Sequence, residues 1–576
     1  MSQSKIWKIA AKPPEEKIGK LANEININPY LATVLVQRGV ETFDAAKHYF
    51  RPKLDDLHNP FLMKDMGKAV ERLAQAIAKQ ENILIYGDYD VDGTTSVALV
   101  HDYLSKFYPH IDFYVPDRHN EGYGISFTGI DFAHSHQFTL VIALDCGVKS
   151  VNEIAYAKEK GVDFIVCDHH KPGEVLPDCV ACLNPKQNDC QYPFKELSGC
   201  GIGFKLILAH SIKHPEYSVG IYDYLDLVAI SIASDIVPMV GENRILTYFG
   251  LQKINERNRL GIEALIQVAG FKKSLNVSDV VFGLGPRINA AGRIKHAKAS
   301  VELLISKKES EALSFAYELN QENTKRKNLD SGTFREAIAL IEEDEKLVSA
   351  KSTVLFNKEW HKGIIGIVAS KCIEKYHRPT IIFTESNNLA TGSARSVDGF
   401  DLYEAIFACK DLLEKYGGHT HAAGLTLKIE NMEVFKKRFE EEVSKYILPE
   451  QLIPHIQIDL ELPLEAINEK FYHILAQMEP FGPKNLAPVF LTANVMPQNI
   501  RLLKETHLKF SLKLRDGSEI DAIGFGMGNY YELVMGGKPV DICYSVDINE
   551  FNGKKSLQLL LKDLRSREFA ISNQIT

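Results

Sequence analysis

The sequence predicts an α/β protein of two α/β lobes, the first built on a parallel sheet, joined by a long helix and followed by a small β-barrel. Three observations carry this expectation. From about residue 80, short β-rich runs alternate with helix-periodic runs. A long charged stretch with no glycine until Gly332 separates two such blocks. From about residue 455 the alternation gives way to strands joined by tight turns. Alternating β and α segments predict a sheet covered by helices, whereas consecutive strands and turns predict a barrel or sandwich.

Residues 1–75 are expected to form a helical segment. In the first lobe, 76–300, the runs "NILIYGD", "DFYVPDR", "FTLVIALDCG" and "DFIVCDHH" recur every 25 to 30 residues. The intervening "TTSVALVHDYLSKF" and "SVNEIAYAKEKG" place apolar residues at helical spacing. This is the pattern of a doubly wound parallel sheet, in which ligands sit beyond the carboxyl ends of the strands. "LPDCVACLNPKQNDCQYPF" reads as an extended loop, and "LVAISIAS" as another strand, ending at Asp235. Residues 301–348 are charged and helix-periodic, a connector between lobes. In the second lobe, 349–450, "STVLF", "PTIIFTE", "ATGSARS" and "AAGLTLKI" are expected strands, with helices starting near Gly363, Leu402 and Glu433. Residues 451–576 suit a five-stranded barrel, an OB-fold first of all, with an "RDG" turn at 515–517 and "NG" at 552–553.

Composition limits the function. Of 576 residues, 45% are hydrophobic and 25% charged, as in an ordinary soluble protein, and no stretch approaches a membrane span. The amino terminus lacks the apolar run of a signal peptide, so a cytoplasmic protein is expected. Nine scattered cysteines fit reduced thiols. Cys179 and Cys182 form a C-x-x-C, but Cys190 and Cys200 are split by nine intervening residues, so thiols rather than zinc ligands are expected. A net charge of −8 means that any polyanion site is a local patch.

The densest local signal is "GDYDVDG", which sets Asp88, Asp90 and Asp92 two residues apart at a strand end. An EF-hand loop starting at Asp88 needs Glu at its twelfth position, which here is Leu99. A P-loop needs a lysine and few acids. Solvated caps account for one of these carboxylates but poorly for three. Asp145 after "LVIAL", Asp168, His169 and His170 after "FIVC", and Asp235 add acids and imidazoles to the same sheet edge. Oxygen ligands with one or two imidazoles suit Mn²⁺ or Mg²⁺. Two such ions stabilise both the attacking and the leaving oxygen of a phosphoryl displacement.

"GDYDVDG", "ALDCG", "DHH" and "SIASDIVP", in this order and spacing, resemble the four motifs of the DHH phosphoesterase superfamily. With "GPRINAAGRI" at 285–294, "TGSARS" and "GGHTHAAG" at 417–424, the chain resembles the RecJ branch, single-strand-specific 5′ to 3′ DNA exonucleases. The resemblance covers nearly the whole chain, including a DHH-associated second lobe. It implies one metal held by Asp92, Asp145, His169 and Asp235, and another by Asp88, Asp90 and Asp145, with Asp145 bridging. Many members carry histidine at the place of Tyr86, so that vertex is assigned to Asp88. His170 is expected to face the scissile phosphate, and Asp168 either to orient His169 or to serve as a hydrogen-bond partner at the strand end. Arg287, Asn289 and Arg293 of "GPRINAAGRI", and Gly418 and His419 of "GGHTHAAG", are expected phosphate contacts. Arg118, with Ser393 and Arg395 at i, i+2 on one strand face, is expected to clamp a 5′ phosphate. His421, Trp360 and His361 are expected to be structural.

The resemblance therefore implies an exonuclease that releases 5′-mononucleotides from single-stranded DNA in recombination and repair. Asp90, Asp92, Asp145, His169, His170 and Arg287 would carry the chemistry. Implied partners are single-stranded DNA, a single-strand-binding protein and a RecQ-type helicase, with the enzyme a monomer and no membrane involved. Two rivals are a superfamily phosphodiesterase acting on cyclic dinucleotides or very short RNA, and a non-catalytic replication scaffold. The carboxy-terminal domain disfavours the first; the filled set of ligand positions disfavours the second. Deleting 453–576 is expected to weaken binding of long strands more than cleavage of short ones.

Overall fold

A computed structural model describes residues 5–118, 120–294, 296–551 and 553–566. The chain forms two compact units: Pro52–Gly332 with Pro480–Asn485, and the remainder. The helix Glu309–Glu342, 34 residues long, carries the chain from one unit into the other.

In the unit 52–332, five parallel strands stand in the order Ile111–Tyr114, Asn82–Gly87, Phe138–Leu144, Asp163–Cys167, Ala181–Leu183. The chain starts at Asn82–Gly87, steps to one edge, then returns to build outward on the other side. The switch point therefore lies between Asn82–Gly87 and Phe138–Leu144, where a doubly wound sheet opens a crevice at its carboxyl edge. Asp88 and Asp145 follow these two strands directly.

Two expectations for this unit are corrected. "LVAISIAS" is not a strand but most of the helix Leu225–Ser234. It packs against the helices Val91–Ser105 and Gly241–Glu256 and is buried on all sides, which removes the polar stripe that marks a helix in sequence. The expected loop around Cys182 contains the edge strand Ala181–Leu183. "GPRINAAGRI" is itself a helix, Gly285–Ile294, preceded by one π-helical turn, Val280–Leu284. The connector is three helices, Lys298–Ile305, Glu309–Glu342 and Glu345–Ser349.

In the other unit, a mixed sheet runs in the order Leu413–His419, Ala422–Lys428, Leu389–Arg395, Thr380–Ser386, Thr353–Phe356. The first of these strands was not anticipated, because "LEKYGGH" is polar and glycine-rich. A second sheet forms the barrel. Its ladder runs from Phe490–Val495 through Val540–Phe551, Lys554–Ser566, Glu519–Gly524 and His507–Lys513 to Gln498–Leu503. The first and last strands are consecutive in the chain, separated only by Met496 and Pro497, so one kinked strand closes the ladder. The "RDG" turn is present, with Gly517 at φ 87°; Asn552 of the "NG" turn lies outside the described residues.

The segment expected to be helical begins with a strand, Ile6–Ile9, which pairs in parallel with His455–Ile458. Trp7 Nε1 donates to Asp563 Oδ2 (2.9 Å), and the Arg565 guanidinium lies 4.2 Å from the Trp7 ring centroid. Gln37 and Arg38 donate to the carbonyls of Asp459 (2.9 Å) and Leu486 (2.6 Å). Deletion of 453–576 therefore removes the docking surface of residues 6–38 as well as the barrel. The truncated protein is expected to melt well below the intact one in a thermal scan, so loss of DNA binding by it does not by itself locate a binding surface.

Candidate metal centre

The strand Asn82–Gly87 is buried through its last five residues and delivers Asp88 into the interior. The chain then turns into the helix Val91–Ser105, with Asp90 as N-cap accepting from Gly93 N–H (3.0 Å). The turn is so tight that a Cβ on Gly93 would lie 2.3 Å from the Asp88 carbonyl oxygen. Asp92, in the first helical turn, is held by three donors: the N–H groups of Gly199 (2.7 Å) and Cys200 (2.8 Å) and the Ser231 hydroxyl (2.7 Å). The first two belong to the amino end of the helix Gly199–Lys213, where unpaired amides favour a carboxylate.

Asp145 takes a left-handed backbone, φ 59°, which turns its carboxylate into the same space. Gly199 leaves room for it, since a Cβ there would sit 2.6 Å from Asp145 Cβ. His169 Nε2 is the hub of the cluster. It lies 3.2 Å from Asp145 Oδ1, 3.5 Å from Asp235 Oδ2 and 3.7 Å from Asp92 Oδ2. His170 Nδ1 lies 3.9 Å from the same Asp145 oxygen. Asp235 caps the carboxyl end of the helix Leu225–Ser234. Ligand atoms of Asp92, His169 and Asp235, and of Asp145, His169 and His170, lie within 4.8 Å of one another.

This arrangement is costly without cations. Burial pushes the Asp145 carboxyl far above its usual range, and Asp92, Asp90, Asp235 and Asp88 push it further. Burial, then Asp90, raises Asp88; burial, then Asp92, raises Asp90. Asp235 is raised to about 9 by burial and by Asp92 and Asp90. His169 is held neutral mainly by burial. Asp145 Oδ1, Asp88 Oδ2 and His169 Nδ1 are buried without a hydrogen-bond partner among the described residues. Buried acceptors left open beside a neutral imidazole are what a hard divalent cation requires, so the residues present fit Mn²⁺ or Mg²⁺.

Asp168 takes the second of its two expected roles, a hydrogen-bond partner at the strand end. Its Oδ1 accepts from the His170 N–H (3.0 Å) and faces His170 Nδ1 (2.8 Å), while Oδ2 accepts from Val148 N–H (2.9 Å). It therefore orients His170 and not His169, because side chains of successive residues at a strand end point to opposite sides. Burial alone would raise Asp168 and lower His170; their hydrogen bond outweighs it, so Asp168 is depressed and His170 raised. Tyr86 faces away from the carboxylates, its hydroxyl donating to Gly124 O (3.0 Å) and accepting from Ser126 N–H (3.2 Å).

The residues expected to bind phosphate fall into separate groups. The Arg118 guanidinium stands 4.9 Å from the Tyr89 ring centroid, and its charge acts on Asp88. Arg287 donates to Asn320 Oδ1 (3.0 Å) and Gly283 O (2.6 Å), and Asn289 Oδ1 is buried without a partner among the described residues. Arg293, at the end of the same helix, acts on Tyr89. In the other unit, Arg395 Nη1 donates to Ser393 Oγ (3.1 Å), and both side chains crowd Gly366 at the start of the helix Ile365–Tyr376. His419 is lowered by burial, then by His421 and Arg395. Gly418, at φ 149°, lets the hairpin close, since a Cβ would lie 2.3 Å from Ala422 O. Trp360 is buried and donates to Glu336 Oε2 (2.8 Å).

Two residues of the centre escaped the sequence reading. The Tyr123 hydroxyl donates to Asp145 O (3.1 Å) and lies 3.3 Å from His170 Nδ1. Ser231 sits four residues before Asp235 on one helix face, a relation visible only once "LVAISIAS" is read as a helix. The cysteines are all free thiols; Cys200 lends its backbone N–H to Asp92, and Cys190 Sγ accepts from Lys64 N–H (3.4 Å).

Three family models match the chain: the DHH family N-terminal domain over 82–232, the DHHA1 domain over 344–445 and the RecJ OB domain over 458–563. The single-stranded-DNA-specific exonuclease RecJ of Bacillus subtilis is 37% identical over 570 residues, 98% of this chain and 71% of that protein. Its Escherichia coli counterpart is 35% identical over 524 residues, 86% of this chain and 89% of that one. The crystal structure of RecJ in complex with Mn²⁺ from Thermus thermophilus superposes with a TM-score of 0.85 at 26% identity, over 97% of this chain and 79% of that one. A complex of that protein with Mg²⁺ gives 0.77 at 25% identity, over 97% of this chain and 78% of that one.

Proposed function

This chain belongs to the RecJ family of single-stranded-DNA-specific exonucleases, and from that premise we propose how its residues do the work. It is a metal-dependent nuclease of single-stranded DNA that uses Mn²⁺ or Mg²⁺. In our reading it starts at a 5′ end and releases mononucleotides. Asp92, Asp145, His169 and Asp235 hold one ion; Asp88, Asp90 and Asp145 hold a second. When bound, the ions polarise the phosphoryl group and offset charge on the attacking and leaving oxygens.

The remaining groups position the strand. His170, its Nδ1 proton held by Asp168, presents a charged imidazole to a phosphoryl oxygen. Arg287, Asn289 and Arg293 take backbone phosphates beside the acidic cluster; Ser393, Arg395, Gly418 and His419 do so in the other unit. The barrel binds the incoming strand through phosphates and stacked bases. Arg118 receives the terminal 5′ phosphate. We further infer a cytoplasmic monomer working beside a single-strand-binding protein and a RecQ-type helicase in recombination and repair. Among the described residues, no helix is long and apolar enough to cross a membrane.

The observation that carries this reading is the convergence of Asp92, Asp145, Asp235 and His169 on one point at the sheet's switch point. It is tested with Mn²⁺ and 5′-labelled single strands, 3′-labelled single strands, duplex and a cyclic dinucleotide. The expected result is mononucleotide released at once from the 5′ label only, with duplex and cyclic dinucleotide intact. Preferential hydrolysis of the cyclic dinucleotide would overturn it.

Two variants probe the supporting residues. Ser231→Ala removes one of the three donors that fix Asp92 and is expected to weaken Mn²⁺ binding about 10- to 100-fold by calorimetry. Arg118→Ala is expected to abolish a preference for 5′-phosphorylated over 5′-hydroxyl single strands while residual cleavage of both persists. Equal slowing of the two strands would move the 5′-phosphate contact elsewhere.

A further inference from the structure

The helix Gly285–Ile294 touches the acidic loops at both ends. A Cβ on Gly285 would lie 2.8 Å from Ser234 Oγ, one residue before Asp235, and a Cβ on Gly292 would lie 2.5 Å from the carbonyl oxygen of Tyr89, between Asp88 and Asp90. The ten-residue helix, about 15 Å long, therefore lies along one side of the carboxylate cluster. Its lead-in is the π-helical turn Val280–Leu284, a distortion that recurs at functional sites. Gly283 in that turn is pressed under the Phe271 ring, a Cβ there falling 2.4 Å from Phe271 Cε2, and the preceding residue, Phe282, is 77% exposed.

A second large apolar side chain stands out on the same corner. Ile236 follows Asp235 with φ 60°, a left-handed backbone that a β-branched residue adopts only under strain, and it is 67% exposed. The turn buries Val280, Gly283 and Leu284 in the core, but Phe282 and Ile236 themselves face solvent, so packing does not account for a large apolar side chain at either position. Both lie within three residues of the Ser234–Gly285 contact, beside Asp235. The chemistry at hand on this side is an aromatic face, an aliphatic edge and two guanidinium groups, Arg287 and Arg293, along the next helix.

We propose that Phe282 and Ile236 form a base-stacking edge at the metal centre, on which the unpaired nucleobase next to the phosphate being cut lays its face. The assignment rests on the single-strand nuclease reading above. It gives that specificity a physical source: a base inside a duplex has both faces covered by its neighbours, whereas a base in a single strand is free to turn one onto the ring. The arginines supply backbone attraction without regard to pairing, so they cannot make this distinction.

The test is a binding measurement without turnover. Fluorescence anisotropy in EDTA follows the intact protein on a 5′-phosphorylated single strand and on versions carrying one abasic residue at each of the first four positions. In the parent protein, one abasic position is expected to weaken binding about tenfold, the usual worth of one stacked base. Phe282→Ala is expected to weaken binding of the unmodified strand by that factor and to be indifferent to the same abasic residue. Phe282→Trp is expected to restore both affinity and sensitivity. Because Phe282 is exposed, the variants should melt with the parent. If Phe282→Ala keeps the parent's full response to each abasic residue, or if the parent responds to none, the stacking edge is overturned. Failure of the nuclease reading has a different signature, a parent protein that leaves single strands intact in Mn²⁺.

Discussion

Asp145→Ala is expected to lower hydrolysis of single-stranded DNA at least about 1,000-fold, the loss of several kcal/mol of transition-state stabilisation. In the proposed ligand set Asp145 would be shared between the two ion positions, and its Oδ1 lies nearest to His169 Nε2 at 3.2 Å. The companion Asp235→Ala should lose as much and separates chemistry from backbone effects. Asp145 has φ 59°, where Asn is tolerated better than Ala, whereas Asp235 has an ordinary right-handed φ of −84°. In EDTA, Asp235→Ala should melt no lower than the parent, because it removes a half-buried carboxyl that its acidic neighbours destabilise. Near-parent turnover by Asp235→Ala would remove that residue from the ligand set. A collapse of its melting temperature in EDTA would make it a structural residue.

Metal binding is expected to release protons, and with them to depend steeply on pH. In the metal-free protein the carboxyls of Asp88, Asp90 and Asp145 are raised by burial and by one another, and Asp235 titrates at about 9. The folded state thus binds more protons than the unfolded chain, whose aspartates titrate near 3.9. Stability without metal must therefore fall as pH rises between about 4 and 9, by about 1.4 kcal/mol per pH unit for each proton retained. A cation that displaces one such proton gains about tenfold in affinity per pH unit over the same window. His169, which burial keeps neutral, adds the opposite slope to stability below its unfolded value of about 6.5 and none above it, so the fall is steepest from there to about 9. Calorimetry of Mn²⁺ binding at pH 7 in buffers of different ionisation enthalpy should report at least one proton released. Absence of proton release at pH 7 would mean that the cluster is already ionised and that its mutual repulsion is relieved by other means.

The parts of this centre that were legible in sequence are those set by the chain's own direction. A parallel strand fixes which end its next residue occupies, so Asp88, Asp145 and the Asp168–His170 run could be assigned to one edge from the apolar runs before them. Asp235 reached the same edge from the carboxyl end of a helix, and "LVAISIAS" hid this because burial on every side leaves no polar stripe. What remained invisible was set by contacts between distant segments: the amides of Gly199 and Cys200 on Asp92, the return of Ile6–Ile9 to His455–Ile458, and the Tyr123 hydroxyl on Asp145 O. The role of Asp168 stayed open between two readings because spacing says which residues are neighbours but not which way a carboxylate turns.

The central claim is that the acidic edge of the first sheet is a two-ion site organised by Asp145. Diffraction from Mn²⁺-soaked crystals, recorded at wavelengths on either side of the manganese absorption edge, tests it directly. The account predicts two anomalous peaks, one among Asp92, Asp145, His169 and Asp235 and one among Asp88, Asp90 and Asp145. A single peak away from Asp145, or manganese bound outside this cluster, would contradict it.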